Sequence, residues 1–170
     1  MRKRFLLAAL PMLAVVGAGA TSKEQKAFLS SSYSYEVLVL GVGQDGTKVF
    51  KVYGYAKKVP AAIIEARKNA VAACIFRGLP GANGAAPTPA ICTTPNAEEV
   101  HAGYVATFFV DGGKYLKYVN LTSDATPSGE DCLKLKGGGY KVGITVQVLY
   151  DNLRRDLEAD GVARRLDAGF

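Results

Sequence analysis

The chain has 170 residues, with 21 Lys or Arg against 15 Asp or Glu, so its formal net charge is +6. Its three cysteines have no Cys-x-x-Cys spacing and its only histidine is His101, which argues against a zinc site. A length of this order fits one domain with one core.

The N-terminus has the pattern of a cleaved secretory signal peptide. Residues 2–4 are basic, residues 5–16 are apolar except for one proline, and residues 18–20 form an Ala-Gly-Ala site. The apolar run is shorter than the ~20 residues of a membrane span. We therefore expect an exported protein whose mature chain begins near Thr21, with an uncleaved anchor as the alternative. A lipoprotein is not expected, because the first cysteine is Cys74.

Cleavage of the signal peptide would change the net charge and the domain boundaries. Without the first twenty residues, 18 basic and 15 acidic residues remain, a net charge of +3. A balance this even does not indicate a nucleic-acid or anionic-lipid partner. Residues 21–34 are polar and Ser-rich and predict a flexible lead-in. Residues 35–170 then form a single domain.

The mature chain opens with a predicted β-hairpin. Residues 35–42 are rich in β-branched and aromatic side chains, and residues 47–56 alternate strictly between two faces. The glycines of residues 41–46 are better explained by the turn than by a dinucleotide fingerprint, since a strand follows them where that fingerprint needs a helix.

A helix is predicted over residues 60–77. Pro60 suits the first helical turn, and Gly78 followed by Pro80 ends the helix. Small side chains recur every four residues and predict a stripe that lies close to a sheet: Ala62, Ala66, Ala70 and Cys74. Residues 81–99 hold three prolines and predict a long loop.

The C-terminal half predicts three strands and a helix. Residues 101–110 and 114–121 flank Asp-Gly-Gly as a second hairpin. Residues 122–139 predict a polar loop, and residues 140–148 a fifth strand. A last helix follows, which Asp151 or Asn152 can cap and Gly161 can end or bend. The order β-β-α-β-β-β-α predicts an α+β fold, a mostly antiparallel sheet of about five strands with two helices on one face.

The cysteines favour one disulfide in an exported chain. Cys92 and Cys132 lie in predicted polar loops, so we expect a Cys92–Cys132 bridge, with Cys74–Cys92 as the alternative. Cys74 lies in the apolar helical run and is expected to be a buried free thiol.

No constellation of residues indicates catalysis or a cofactor. The acids of residues 122–139 lack EF-hand spacing. The pairs Glu98-Glu99 and Glu130-Asp131 are adjacent loop carboxylates, which do not establish opposed acid and base positions. Asn120-Leu121-Thr122 fits the N-glycosylation triplet. We therefore predict no catalytic, cofactor-binding or metal site, and no enzyme.

Residues 48–81 resemble the LPP20-type module of bacterial envelope and flagellar-associated proteins. The resemblance rests on a strand ending in Gly54, a short link, an alanine-rich helix containing Ala62, Ala66 and Asn69, and a closing Gly78. It implies a non-enzymatic role in an envelope assembly and carries over no catalytic residue. The chain departs from the pattern by lacking a lipobox cysteine and by its insertion at residues 81–99.

These features predict a periplasmic or outer-envelope protein with a structural or protein-interaction role, such as that of an accessory of a secretion, motility or surface assembly. Its partners would be envelope proteins or further copies of itself, with no transmembrane span in the mature form. The alternative is a small-ligand or carbohydrate-binding module. Its cleft would be lined by tyrosines: Tyr33, Tyr35, Tyr104, Tyr115 and Tyr118.

Overall fold

A computed structural model describes residues 36–42, 46–82, 84–123 and 126–166. The predicted signal peptide at residues 1–20 and the lead-in at residues 21–34 lie outside the described residues. No helix in the described part of the chain has both the length and the apolar character needed to cross a membrane.

The core of the fold is an antiparallel five-stranded sheet, which confirms the predicted α+β class. Its strands are β1 (Val37–Val42), β2 (Lys48–Ala56), β3 (Val119–Leu121), β4 (Cys132–Lys134) and β5 (Tyr140–Val148). The order is β1-β2-β5-β3, and β4 also pairs with β5. The two nine-residue strands, β2 and β5, pair along their whole length. Each presents one row of side chains to the core and one to the open face.

The described residues also form four α-helices and three shorter turns. They are α1 (Val59–Ala72), a π-helical turn (Ala73–Arg77), α2 (Ala97–Val100), α3 (Ala102–Phe108), two 3-10 turns (Lys114–Tyr118 and Gly129–Asp131) and α4 (Tyr150–Ala159). Two predicted helices correspond to α1 with its π turn and to α4. The two short helices α2 and α3 were not predicted.

Helix α1 lies against β2 through the predicted stripe of small side chains. Ala62, Ala66 and Ala70 have no exposed surface. Opposite them, a Cβ on Gly54 would collide with the Ala62 carbonyl oxygen and lie 2.9 Å from the Ala66 Cβ. The Asn69 side chain donates from Nδ2 to the Tyr53 carbonyl oxygen at 2.9 Å. Close backbone approach therefore fixes where this helix sits on the sheet.

The predicted second hairpin is wrong in its first strand. Residues 101–110 were expected to form a strand, but Ala102–Phe108 is a helix. The partly or fully buried positions are His101, Tyr104, Val105, Phe108 and Phe109, which is a helical and not a two-residue period. The aromatic and β-branched side chains favour a strand by propensity. Packing of the buried helical stripe against the rest of the molecule outweighs this local preference for a strand.

The second predicted strand, residues 114–121, is also mostly helical. A 3-10 turn occupies Lys114–Tyr118, where Tyr115 and Tyr118 are buried three residues apart, and only β3 is extended. The predicted loop at residues 122–139 instead contains β4. The number of strands comes out as predicted because β4 takes the place of the strand expected at residues 101–110.

The last helix buries Leu153 and Leu157, as its period predicts. It begins at Tyr150 after Leu149, which makes no side-chain cap, so the predicted cap by Asp151 or Asn152 is wrong. Gly161 has a φ of 71° just beyond the helix. Its left-handed backbone ends the helix, which confirms the expected stop.

Candidate functional site

The face of the sheet turned away from α1 carries a connected set of tyrosines, lysines and acids. Lys141 lies with its Nζ 4.2 Å from the ring centroid of Tyr53. It also forms an ion pair with Glu36 at 2.6 Å, and Glu36 accepts a hydrogen bond from the Tyr55 hydroxyl at 2.9 Å. Burial opposes ionisation of Glu36, but the hydrogen bonds from Lys141 and Tyr55 outweigh it, so its pKa is lowered.

Gly143 makes room for this arrangement. Gly143 pairs directly with Tyr53 across β2 and β5. A Cβ on it would lie 2.9 Å from Tyr53 Cε1 and 3.1 Å from Asp131 Oδ1. Because Gly143 has no side chain, the Tyr53 ring and the Lys51–Asp131 ion pair can both approach β5 closely at this position. The charges of this open face are thus largely paired within the molecule.

Strand β1 lies at one end of the sheet order and pairs only with β2 among the described strands. Its sequence, Val-Leu-Val-Leu-Gly-Val, has no charged residue and no proline. Leu38 and Leu40 are 51% and 42% exposed. The pairing register of β1 with β2 shifts between Val39 and Gly41. An irregularity of this kind is one of the features that protect an edge strand from unwanted pairing. An uncharged edge with exposed leucines can accept a further strand.

A cleft of about 560 Å³ opens where the π turn ends. Gly78 turns the chain at a φ of 78°, and the chain comes back past the same helix end, where the Ile91 and Cys92 amides donate to the Cys74 and Ile75 carbonyls at 3.0 and 2.8 Å. The cleft is lined by side chains from both sides, among them Phe76, Arg77, Thr93, Asn96, Glu98 and Glu99.

Sequence reasoning did not find this cleft. It singled out Glu98-Glu99 only as a solvated pair and placed Arg77 at a helix end. Asn96 is the one described residue other than glycine with a positive φ, at 56°. The Pro95-Asn96 dipeptide is the local signal for that turn, but no pattern indicates that the turn faces Arg77.

A smaller groove of about 260 Å³ lies at the opposite sheet edge, between β3 and β4. These two short strands pair with the two ends of β5, which leaves its middle uncovered. Thr122 bonds back to the Thr145 carbonyl oxygen through its amide at 3.1 Å and its hydroxyl at 3.0 Å. Asp131 lines the groove and is held by Lys51.

The three cysteines are free in this structure, so the predicted Cys92–Cys132 bridge is not formed. Cys132 pairs with Val142, which lies opposite Gly54 and so at the level of Ala66. The Cys92 amide donates a hydrogen bond to the Ile75 carbonyl oxygen. Ile75 lies nine residues after Ala66, a rise of roughly 14 Å at 1.5 Å per residue, so Cys92 and Cys132 lie at different levels of the helix. A disulfide needs Cα atoms within about 7 Å.

Cys74 is fully buried, and burial raises the pKa of its thiol to about 12. Cys92 is 6% exposed and its Sγ lies 3.5 Å from the Val162 carbonyl oxygen. Burial raises the pKa of Cys92 as well, although Arg154 opposes that rise. The backbone bonds at residues 91 and 92 bring the alternative pair, Cys74 and Cys92, into neighbouring segments, where both are free thiols.

Three of the tyrosines expected to line a ligand cleft, Tyr104, Tyr115 and Tyr118, pack against other residues of the described chain. Tyr115 and Tyr118 are buried, and the Tyr118 hydroxyl donates to Asp156 at 2.6 Å. Tyr104 donates to Asp160 at 2.9 Å and stacks on Phe108. Tyr104 thus connects α3 to the C-terminal end of α4, and Tyr118 connects the preceding 3-10 turn to α4. Tyr33 and Tyr35 lie outside the described residues.

The other candidate groups remain separate. The described residues contain no group of three His, Cys, Asp or Glu side chains arranged to hold a metal ion. Glu130 lies beside Asp131 in the 3-10 turn Gly129–Asp131, and His101 lies between α2 and α3. Asn120, of the glycosylation triplet, is exposed on β3.

Comparisons of the chain with protein-family models, with curated proteins and with solved structures return no match. The resemblance of residues 48–81 to the LPP20-type module therefore stays a prediction from the sequence.

Proposed function

We propose that this chain is an exported bacterial envelope protein whose role is protein interaction, and that β1 is the strand through which it binds. The supporting observation is the uncharged strand at the end of the described sheet order, which exposes Leu38 and Leu40. Main-chain hydrogen bonds along such an edge supply affinity, and alternate side chains supply specificity. The partner strand comes from another envelope protein or from a second copy.

Export is supported by the N-terminal pattern. The basic residues 2–4, the apolar run of residues 5–16 and the small residues 18–20 together fit secretion. Intact-mass analysis of chain recovered from the periplasm should give an N-terminus at or near Thr21. Full-length chain confined to the membrane fraction would favour an uncleaved anchor, and full-length chain in the cytoplasm would contradict export.

Crosslinking from the strand tests the proposed interface. A photo-crosslinking amino acid at position 38 or 40 should give a covalent product in living cells, identified by mass spectrometry as one envelope protein or as a dimer. Leu38→Lys with Leu40→Lys should reduce that product strongly when the probe is placed at position 36 or 42, because edge lysines block strand addition. Val110→Lys is the matched control, since Val110 is 55% exposed outside the sheet.

A chain that sediments as a monomer and gives no product from either position contradicts the proposal. The proposal also fails if Val110→Lys lowers the yield as much as the two β1 substitutions do. Circular dichroism of each variant shows whether the fold is retained, so that loss of crosslinking is not mistaken for unfolding.

A further inference from the structure

One end of the sheet carries a cluster of exposed lysines, where β2 ends and the chain turns from β4 into β5. We call this cluster the basic tip, and its members are Lys57, Lys58, Lys134 and Lys136. Their side chains form no ion pair with any acid of the described chain. The lysines of the open face differ, because Lys51 is held by Asp131 and Lys141 by Glu36.

Strand pairing brings the four lysines together. Lys134 pairs with Tyr140, and Tyr140 pairs with Ala56, the residue before Lys57. Adjacent strands lie about 4.8 Å apart, so the backbones of Lys134 and Ala56 are separated by roughly 10 Å. A Cβ on Gly139 would lie 3.6 Å from the Lys57 Cα, which places the β4–β5 turn beside Lys57. This separation is close to the Debye length of about 10 Å at 0.1 M salt, so the four charges act on a partner together.

The helix that begins at the basic tip adds no negative charge to it. Lys58 precedes α1 without a side-chain capping bond, and the first turn of α1 contains no acid. The N-terminal end of a helix dipole is itself positive. Further away, Glu65 is paired with Lys68 and Glu36 with Lys141. The fold therefore concentrates positive charge at one place, which the nearly even balance of the whole chain does not reveal.

The surroundings of the lysines suit a flat anionic surface. The turn between Lys136 and Tyr140 consists of three glycines, and a Cβ on either of the first two would have no heavy atom within 4 Å. Leu133, next to Lys134, is 48% exposed. At a bilayer surface, lysines are attracted to anionic headgroups while a neighbouring apolar side chain enters the boundary with the acyl chains.

We propose that the basic tip binds the anionic headgroups of a phospholipid membrane. The tip shares no residue with β1, and it depends on the proposed envelope location only for a membrane within reach. Each lysine close to an anionic bilayer strengthens binding about fivefold. Such binding holds an exported chain reversibly at the membrane without a lipid anchor.

The test is co-sedimentation of the purified chain with vesicles, using the same N-terminus for every variant. The vesicles consist of phosphatidylcholine alone or of phosphatidylcholine with phosphatidylglycerol. The chain should bind only the anionic vesicles. Lys134→Gln with Lys136→Gln should weaken that binding about 25-fold, two factors of about five. Salt near 1 M, where the Debye length is about 3 Å, should release the chain.

The matched control is Lys114→Gln with Arg155→Gln, which removes the same charge from two exposed positions. The turn that contains Lys114 leads into β3, which pairs with the Val148 end of β5, and the helix that contains Arg155 follows that end. These positions lie at the opposite end of β5 from the tip, so binding should stay nearly unchanged. A control that weakens binding as much as the tip variant overturns the proposal, and so does equal binding to both kinds of vesicle or to neither.

A tryptophan at position 133 shows whether a bilayer occupies the tip. The chain contains no tryptophan, so Leu133→Trp introduces a single fluorophore beside Lys134. Its emission should shift to the blue with anionic vesicles, whereas Val110→Trp, at a position that is 55% exposed elsewhere, should not respond. Poly-glutamate is the soluble comparison. Lysine-dependent binding of poly-glutamate without a blue shift on vesicles would identify an acidic protein partner and overturn the membrane proposal. None of these results depends on the crosslinks from β1.

Discussion

The contact between Gly54 and α1 predicts a large effect from a single methyl group. In Gly54→Ala the new Cβ would lie 2.9 Å from the Ala66 Cβ and would overlap the Ala62 carbonyl oxygen. The obstacle is mostly helix backbone, which cannot rotate away as a flexible side chain can. Restoring a carbon contact of ~3.5 Å requires α1 to retreat from β2 by roughly 1 Å.

That retreat sets the expected magnitude. A gap of 0.5–1 Å forfeits about a quarter to a half of each van der Waals contact, and Ala62, Ala66 and Ala70 are all fully buried along the contact. Overpacking costs about 1–3 kcal/mol. We expect the upper end, a loss of about 3 kcal/mol in the free energy of unfolding, which lowers Tm by about 10 °C in a chain of this size.

The control is Gly41→Ala. Gly41 is also a strand glycine, but a Cβ there has no heavy atom within 4 Å and its φ is not positive. Its substitution should change the free energy of unfolding by less than about 0.5 kcal/mol. Urea unfolding followed by circular dichroism measures both variants. If Gly54→Ala is as stable as Gly41→Ala, then α1 does not rest on β2 as the structure has it.

Three further predictions concern the aromatic cluster and the thiols. Phe108→Ala should cost about 3 kcal/mol in the free energy of unfolding by thermal or urea unfolding, because Phe108 is 2% exposed between two stacked tyrosines; Val110→Ala should cost almost nothing. Hydrogen bonds from Tyr118 and Lys117 lower the pKa of Asp156. The ionised Asp156 carboxylate therefore stabilises the fold fully above its ordinary pKa of about 4, and this stabilisation is lost as the pH falls through the lowered pKa. The stability difference between wild type and Asp156→Asn, below about 1 kcal/mol for this exposed group, should therefore shrink in acid; a difference that grows there contradicts the assignment. With Ellman's reagent at pH 8, Cys132 should react in the native chain and Cys74 only after denaturation. If the denatured chain contains only one free thiol, a disulfide is present and the assignment of three free cysteines is wrong.

The sequence predicts the long strands well because their environment repeats along the chain. In β2 the side chains alternate between α1 and the open face, so the alternation of residues 47–56 carries the information directly. The run of residues 140–148 matches β5 at both ends. The stripe of alanines in α1 works in the same way, since one helix face meets one surface throughout.

Prediction fails where distant packing decides the conformation. Residues 101–110 contain Tyr104, Phe108 and Phe109, which favour a strand locally. Phe108 instead lies 6.0 Å from Tyr118, centroid to centroid, and Tyr118 is bonded to Asp156 of α4. That contact requires the helical period, and it is fixed by Asp156, 38 residues beyond Tyr118, which no local pattern indicates. The cleft is missed for the same reason, because its lining combines Arg77 with residues 93–99, which the fold brings to the same helix end only when the intervening loop returns.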